Sequence, residues 1–276
     1  MKKVWLITGS SKGLGLSLTK TALERGDLVA ATARDPQQIK YLSEQFGEQV
    51  YLVKLDVTDF KETANVVSKV IERFGRIDVL VNNAGFGITG ATEAYTSEQV
   101  DEQFSANLLG PIELTRMVLP HLRKQRSGNI INISSIGGRT ASIGLSIYQS
   151  AKFGLSGFSE ALANEVAPLG IKVTAVEPGG MKTDWAGNSM RFAEKVTGYE
   201  TTVDTRVELF KSGKFVPKSD PEKIAAAVVA LTDQPEPPLH LVLGSDAIGL
   251  LEKSQLARQE EFEKWRNISL STDANS

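Results

Sequence analysis

The stretch Val4-Trp5-Leu6-Ile7-Thr8-Gly9-Ser10-Ser11-Lys12-Gly13-Leu14-Gly15 decides the fold. Four apolar residues read as a short buried strand. Three glycines then allow a sharp turn and a close approach of backbone to another group. From Leu14 to Arg25 the pattern is helical, and Gly26 is placed to end it. A strand that passes through a glycine turn into a helix is a phosphate cradle. The first helical N–H groups lack partners and carry partial positive charge. The spacing Gly-x-x-x-Gly-x-Gly differs from the usual dinucleotide fingerprint and from the loop that ends Gly-Lys-Ser/Thr. Taken alone, it leaves a tight turn without a ligand as the alternative.

Working outward, short β-rich runs alternate with longer helical patterns. Strands are expected at Leu28–Ala33, Val50–Leu55, Val79–Val81, Asn129–Ile133, Ile171–Val176 and His240–Leu243. Helices are expected at Pro36–Phe46, Asp59–Phe74, Asn107–Lys124, Tyr148–Val166 and Pro221–Leu231, with Ser97 as the N-cap of a further one. Several strands are near-continuous apolar runs, as a parallel sheet covered on both faces requires. The expectation is an α/β fold, a doubly wound, mostly parallel sheet with helices on both faces, in one domain. Ligands in such sheets sit at the carboxyl ends of the strands.

That domain is expected over residues 1–248. Residues 182–218 show little periodicity directly after a strand end, which fits a substrate lid; an ordinary surface insertion is the alternative. Residues 249–268 read as a charged helical extension and 269–276 as a disordered tail.

Composition narrows the function classes. The 276 residues are 41% hydrophobic with a formal net charge of −2, which gives no footing for nucleic acid or an anionic membrane surface. There are no cysteines, hence no disulfide, thiol nucleophile or thiolate metal site. His121 and His240 belong to no metal-spaced motif. No apolar run approaches the ~20 residues of a membrane span, and a cytoplasmic location is the default expectation.

The chemistry begins with Tyr148 and Lys152, four apart and therefore on one helix face. A tyrosine has a reference pKa of about 10, and a neighbouring ammonium favours its phenolate. An activated phenol beside a nucleotide loop points to hydride transfer coupled to proton transfer.

Thr8-Gly9-Ser10-Ser11-Lys12-Gly13-Leu14-Gly15, Asn82-Asn83-Ala84-Gly85, Tyr148-Gln149-Ser150-Ala151-Lys152 and Pro178-Gly179 together resemble the short-chain dehydrogenases/reductases, in order and in spacing. The resemblance runs from about Val4 to His240 and implies a Rossmann-like fold. It implies a catalytic set of Asn107, Ser135, Tyr148 and Lys152. Ser135 is selected over Ser134 because the family's serine lies thirteen positions before the tyrosine. In that set Tyr148 exchanges a proton with the substrate oxygen and Ser135 hydrogen-bonds it. Lys152 lowers the tyrosine pKa and holds the nicotinamide ribose, and Asn107 supports a water that links Lys152 to solvent. For the cofactor the resemblance implies contacts from Gly9, Ser11, Lys12, Gly13, Leu14, Gly15, Arg34, Asp56, Val57, Asn82, Ala84, Pro178, Gly179 and Thr183, besides Tyr148 and Lys152. No metal is implied.

The choice of nicotinamide can be read from charge. An NAD site places an acid about twenty residues beyond the loop. Here that position is Ala33, followed by Arg34, with Lys12 in the loop. An acid would repel a phosphomonoester of about −1.5 to −2 charge, whereas two cations attract it. Asp35 is expected to point away. The cofactor expectation is NADP(H).

The expected substrate is a small carbonyl compound or alcohol of apolar character. Met181, Trp185, Met190 and Phe192 would form its wall. No cationic cluster demands a carboxylate or phosphate substrate. A catalytically silent nucleotide-sensing protein is the competing reading. The resemblance further implies a homodimer or homotetramer paired through the helices at 107–124 and 148–166.

Overall fold

The structure is a computed structural model that describes residues 2–183 and 190–274. Trp185 lies outside the described residues. Among the described residues the strands are β1 Val4–Ile7, β2 Leu28–Ala33, β3 Val50–Lys54, β4 Val79–Asn82, β5 Gly87–Thr89, β6 Gly128–Ile133, β7 Ile171–Pro178, β8 Met190–Phe192 and β9 His240–Leu243. The main helices are α1 Gly13–Glu24, α2 Tyr41–Phe46, α3 Phe60–Phe74, α4 Ser97–Phe104, α5 Gly110–Gln125, α6 Ser146–Val166, α7 Val203–Lys211, α8 Pro221–Leu231 and α9 Ser245–Leu270.

Seven strands form one parallel sheet in the order β3-β2-β1-β4-β6-β7-β9. The alternation along β1 shows why both faces must be covered. Trp5 and Ile7 point into a core with Leu14, Leu18 and Ala22 of α1 and Ile224 and Val228 of α8. Val4 and Leu6 point into the opposite core, with Val66 and Val70 of α3, Leu114 and Val118 of α5, and Leu162 of α6. All four strand residues are fully or nearly fully buried. The chain winds outward from β1 to β3, then returns to β4 beside β1. The crevice at the carboxyl ends of β1 and β4 is the topological switch point where such folds hold ligands.

Four details differ from the sequence expectation. The N-cap of α4 is Thr96, not Ser97. Thr96 Oγ1 accepts from Gln99 N (3.2 Å) while Gln99 Oε1 accepts from Thr96 N (3.1 Å), a capping box that the pattern Thr-x-x-Gln permits only at position 96. The helix expected from Asn107 is continuous with α4 through a π-helical turn, Ser105–Leu109. Residues 182–218 are not aperiodic throughout. β8 pairs in parallel with β5, Gly87 opposite Met190 and Thr89 opposite Phe192, and α7 follows. Three-residue strands are too short for alternation to mark them. Finally, α9 starts at Ser245, after Gly244 at φ +110°, and continues to Leu270, so Ser269 and Leu270 are helical where a tail was expected.

Candidate active site

The carboxyl ends of the sheet open into a cavity of about 650 Å³. Its floor is the glycine turn. Gly9 and Gly13 adopt positive φ (+70° and +53°), open to glycine at little cost. Gly15 is constrained by space instead. A Cβ there would lie 2.2 Å from Gly9 O and 2.4 Å from Asn83 Nδ2. The turn is held by backbone and one asparagine: Asn83 Nδ2 donates to Thr8 O (2.8 Å), and Thr8 Oγ1 accepts from Asn83 N (2.9 Å) and Ala84 N (3.0 Å). Lys12, in extended conformation, is the N-cap of α1 and offers no side-chain cap. The first N–H groups of α1 are thereby left for an anion, as a bound pyrophosphate requires.

Gly9, Ser11, Lys12, Gly13, Leu14, Gly15, Ala33, Arg34, Asp56, Val57, Ala84, Pro178, Gly179 and Thr183 all line this cavity. Asn82 does not join them. Its Nδ2 donates to Asn132 Oδ1 (2.8 Å) and Thr115 Oγ1 (3.0 Å), which ties β4 to β6 inside the core. The motif's cavity-facing asparagine is Asn83, because side chains alternate along an extended strand end. Ala33 is buried at the end of β2 and Arg34 is exposed beside it. Asp35 turns away to accept from Gln37 N (3.1 Å). Asp56 Oδ1 is occupied locally by Thr58 N (3.0 Å) and Thr58 Oγ1 (2.7 Å).

The sequence-predicted catalytic set converges on the same cavity. Tyr148 and Lys152 are both buried, one turn apart on α6. Ser135 follows β6 and hydrogen-bonds the Tyr148 side chain; its Oγ also accepts from Gly137 N (3.0 Å). Lys152 Nζ donates to Ile133 O (2.8 Å) and stands 5.9 Å from the Tyr148 ring centroid. Asn107 lies in the π-helical turn, the local distortion that re-aims a side chain at functional sites. Its Nδ2 donates to Phe86 O (3.0 Å) and Gln103 O (3.0 Å), while its Oδ1 is buried without a partner. A Cβ on Gly85 would lie 2.5 Å from that Oδ1 and 3.8 Å from Lys152 Nζ. The unfilled acceptor and the ammonium therefore both lie beside Gly85.

The protonation energetics depart from the expectation of a lowered tyrosine pKa. Burial pushes Tyr148 up to about 12, with the Ser135 hydrogen bond pulling the other way. Burial also pushes Lys152 down to about 7. Desolvation dominates both shifts; the ammonium donates to a backbone carbonyl and lies over the tyrosine ring.

Several lining residues were not singled out in the sequence. Asp246, in the first turn of α9, accepts from Gly180 N through Oδ2 (2.8 Å) and holds the Pro178-Gly179-Gly180 turn. Its Oδ1 is buried and unpartnered. An acid just after Gly244, at a helix start, was the available signal. Glu102 of α4 and Arg191 of β8 form an ion pair in the wall. Arg206, Phe210 and Phe215 approach from the segment around α7. Of the expected apolar wall, Met181 lines the cavity, whereas Met190 turns into the β5–β8 layer, where Thr89 Oγ1 donates to its sulfur (3.1 Å).

The comparisons with known proteins agree with this geometry. The family model described as short chain dehydrogenase matches residues 3–193. The chain belongs to the short-chain dehydrogenase/reductase family. Oxidoreductase BOA17 of Botryotinia fuckeliana is 45% identical over 273 residues, covering 99% of this chain and all of that one. A short-chain dehydrogenase from Streptomyces avermitilis superposes with a TM-score of 0.93 at 38% identity, covering 99% of this chain and 98% of that one. An alcohol dehydrogenase from the archaeon Thermococcus sibiricus, complexed with 5-hydroxy-NADP, superposes with a TM-score of 0.72 at 25% identity, covering 88% and 96%. This chain is thus an oxidoreductase-family protein of Rossmann-like fold. Among the described residues no helix is long and apolar enough to cross a membrane.

Proposed function

We propose that this protein is an NADP(H)-dependent oxidoreductase that interconverts a ketone or aldehyde and the corresponding alcohol, with Tyr148 as proton donor and acceptor. One observation carries the reading: Tyr148, its Ser135 hydrogen bond and Lys152 share a single cavity with the glycine turn at the switch point. The cofactor, when bound, supplies or accepts the hydride. The chain's residues handle the oxygen and its proton. Ser135 orients the carbonyl oxygen and steadies its growing charge. Tyr148, protonated across the neutral range, delivers its proton to that oxygen as the carbon is reduced. The phenolate left behind is stabilised by Lys152, whose charged form is recovered as polar groups replace lost solvation. Asn107 Oδ1 holds the water through which the proton returns from solvent.

The preference for the phosphorylated cofactor is supported by Ala33 in place of an acid and by Arg34 and Lys12 in the cavity wall. Assembly as a homodimer or homotetramer through α5 and α6 belongs to the same proposal, and light scattering tests it. So does closure of the segment around β8 and α7 over the substrate.

The deciding experiment is a panel of ketones and aldehydes with NADPH, followed by the loss of nicotinamide absorbance. Tyr148→Phe is expected to lower kcat by about 10²–10⁴-fold, the range of general acid catalysis, while NADPH affinity is retained. Wild-type turnover in that variant would refute the mechanism.

A further inference from the structure

Arg206 stands on α7 and lines the same cavity as Tyr148. Its Cγ packs 3.8 Å from where a Cβ on Gly144 would sit, four residues before Tyr148 in the chain. The cavity it shares has apolar lining in Leu145, Phe210, Phe215 and Leu250. Its guanidinium lies 4.8 Å from the Phe210 ring centroid. Among the described residues no carboxylate pairs with it, and its Nε is buried without a hydrogen-bond partner. The other arginine of this wall is different. Arg191 is paired with Glu102 and rests over Phe86. Asp204, two residues earlier on α7 and so on a different face of the helix, pairs with Lys195 (2.9 Å).

A guanidinium stays charged at all physiological pH values and presents five donors in a planar fork. Arg206 is half-buried with its Nε unpartnered, and that burial pushes it below the usual arginine range. Stacking on one ring satisfies the face of the group and none of its N–H donors. A ligand oxyanion would complete the site, and the fork fits a carboxylate in the bidentate manner.

We infer that the substrate has an apolar body with its carbonyl, or alcohol, at the Tyr148 end and a carboxylate at the other, and that Arg206 receives this carboxylate. The inference rests on the hydride-transfer reading and adds the substrate class. It replaces the purely apolar substrate expected from the sequence. Arg206 then fixes which way round the substrate lies, because only one orientation brings the carboxylate to the guanidinium and the carbonyl to Ser135 and Tyr148.

The test uses methyl-ketone carboxylates of increasing chain length, each beside its primary amide, with NADPH as reductant. A charge-assisted hydrogen bond contributes about 1.5–3 kcal/mol, or roughly 10- to 100-fold. At the matching length the acid should exceed its amide in kcat/KM by about that factor. R206M should collapse the acid-to-amide ratio to about one, chiefly through KM of the acid, with NADPH affinity unchanged by fluorescence. R206K should restore part of the preference, since it returns the charge without the fork. Equal kcat/KM for acid and amide at every length in the wild type would overturn the inference, and that comparison needs no variant to fold. Binding of the same carboxylates to the NADP⁺-loaded protein, which cannot reduce them, is titrated by calorimetry. Carboxylate binding that R206M abolishes, with no ketone reduced, would sink the redox reading and leave the anion site standing. Reduction of neutral ketones without carboxylate binding would do the reverse.

Discussion

The two halves of the cavity are built by different means. The cofactor half, at the ends of β1 and β4, is fixed at its backbone: the Asn83 and Thr8 side chains hydrogen-bond main-chain groups of the turn, and Gly15 packs directly on Gly9 O. The substrate half, around β5, β8 and α7, is a wall of side chains tied to β5 and to one another. Gln103 Oε1 accepts from Ile88 N (2.9 Å), Tyr95 Oη donates to Ile88 O (2.7 Å), and Arg191 reaches Glu102. Backbone constraints admit one residue type at a position, whereas side-chain walls admit many. A shared chemistry is therefore expected to sit on the first half and selectivity on the second.

Lys152 lies at the seam between the halves, so its loss is expected to have the largest effect. Lys152→Met should lower kcat/KM by about 10²–10⁴-fold with any substrate, since the phenolate loses its supporting charge. The pH profile adds a sign. Reduction needs Tyr148 protonated and benefits from Lys152 charged, and both are favoured at low pH. In the cofactor-free protein burial pushes Lys152 down to about 7, so kcat/KM for NADPH, which reports that form, should be level below this value and fall above it. Stability should show the opposite slope. The folded pKa is depressed from 10.5, so between about 7 and 10.5 the unfolded chain binds a proton that the folded chain does not. The contribution of this group to stability therefore rises with pH across that window and is level below it. Thermal melts of the cofactor-free wild type and of Lys152→Met should diverge there. Parallel melting curves would contradict the burial of an ammonium at this site.

Gly15→Ala attacks the backbone half alone. The new Cβ has no space between Gly9 O and Asn83 Nδ2, and the turn must shift. Overpacking of this kind costs about 1–3 kcal/mol, so NADPH affinity should drop by roughly 10- to 100-fold with a lowered melting temperature. Unchanged fluorescence titrations would mean that the turn does not hold the pyrophosphate.

The same division explains what was legible in the sequence. The parallel sheet could be read because β1 is apolar throughout and β2 and β4 nearly so, and burial on both faces accounts for that. The cofactor half could be read because glycine is the one residue that fits at positions 9, 13 and 15. The tyrosine, lysine and serine could be read because a helix and a strand end fix them by count. Asn82 was misassigned to the cavity because two adjacent asparagines look alike until the strand's alternation decides which one faces inward. Arg206 carries no local signal, and Asp246 only that of an acid at a helix start; both line the cavity through tertiary packing, Asp246 by the docking of α9 against β9. The lowered tyrosine pKa failed for a related reason. Spacing shows the neighbouring charge but not the depth at which the pair is buried.

Arg34→Ala removes one cation from the exposed rim of the cofactor half. The expected change is selective. KM for NADPH should rise about tenfold, the equivalent of one charge-assisted hydrogen bond of about 1.5 kcal/mol, while KM for NADH stays constant. Equal KM values for the two cofactors in the wild type, unaltered by the substitution, would refute the NADP(H) preference and leave the fold and the proton chemistry untouched.

The smallest effect is expected in the substrate half, at the Glu102–Arg191 pair. Both side chains are about half exposed, at 53% and 46%. Exposed pairs of this kind contribute about 0–1 kcal/mol, so Glu102→Gln should leave the melting temperature nearly unchanged. Its interest lies in charge. Freed from Glu102, Arg191 becomes, besides Arg206, another unpaired cation from the β8–α7 segment in the cavity wall. The variant should therefore favour anionic over neutral carbonyl substrates by a few-fold more than the wild type, with less gain as salt is raised. A large loss of stability would instead place this pair among the elements that hold β8 against β5, and the substrate half would prove to be as tightly specified as the cofactor half.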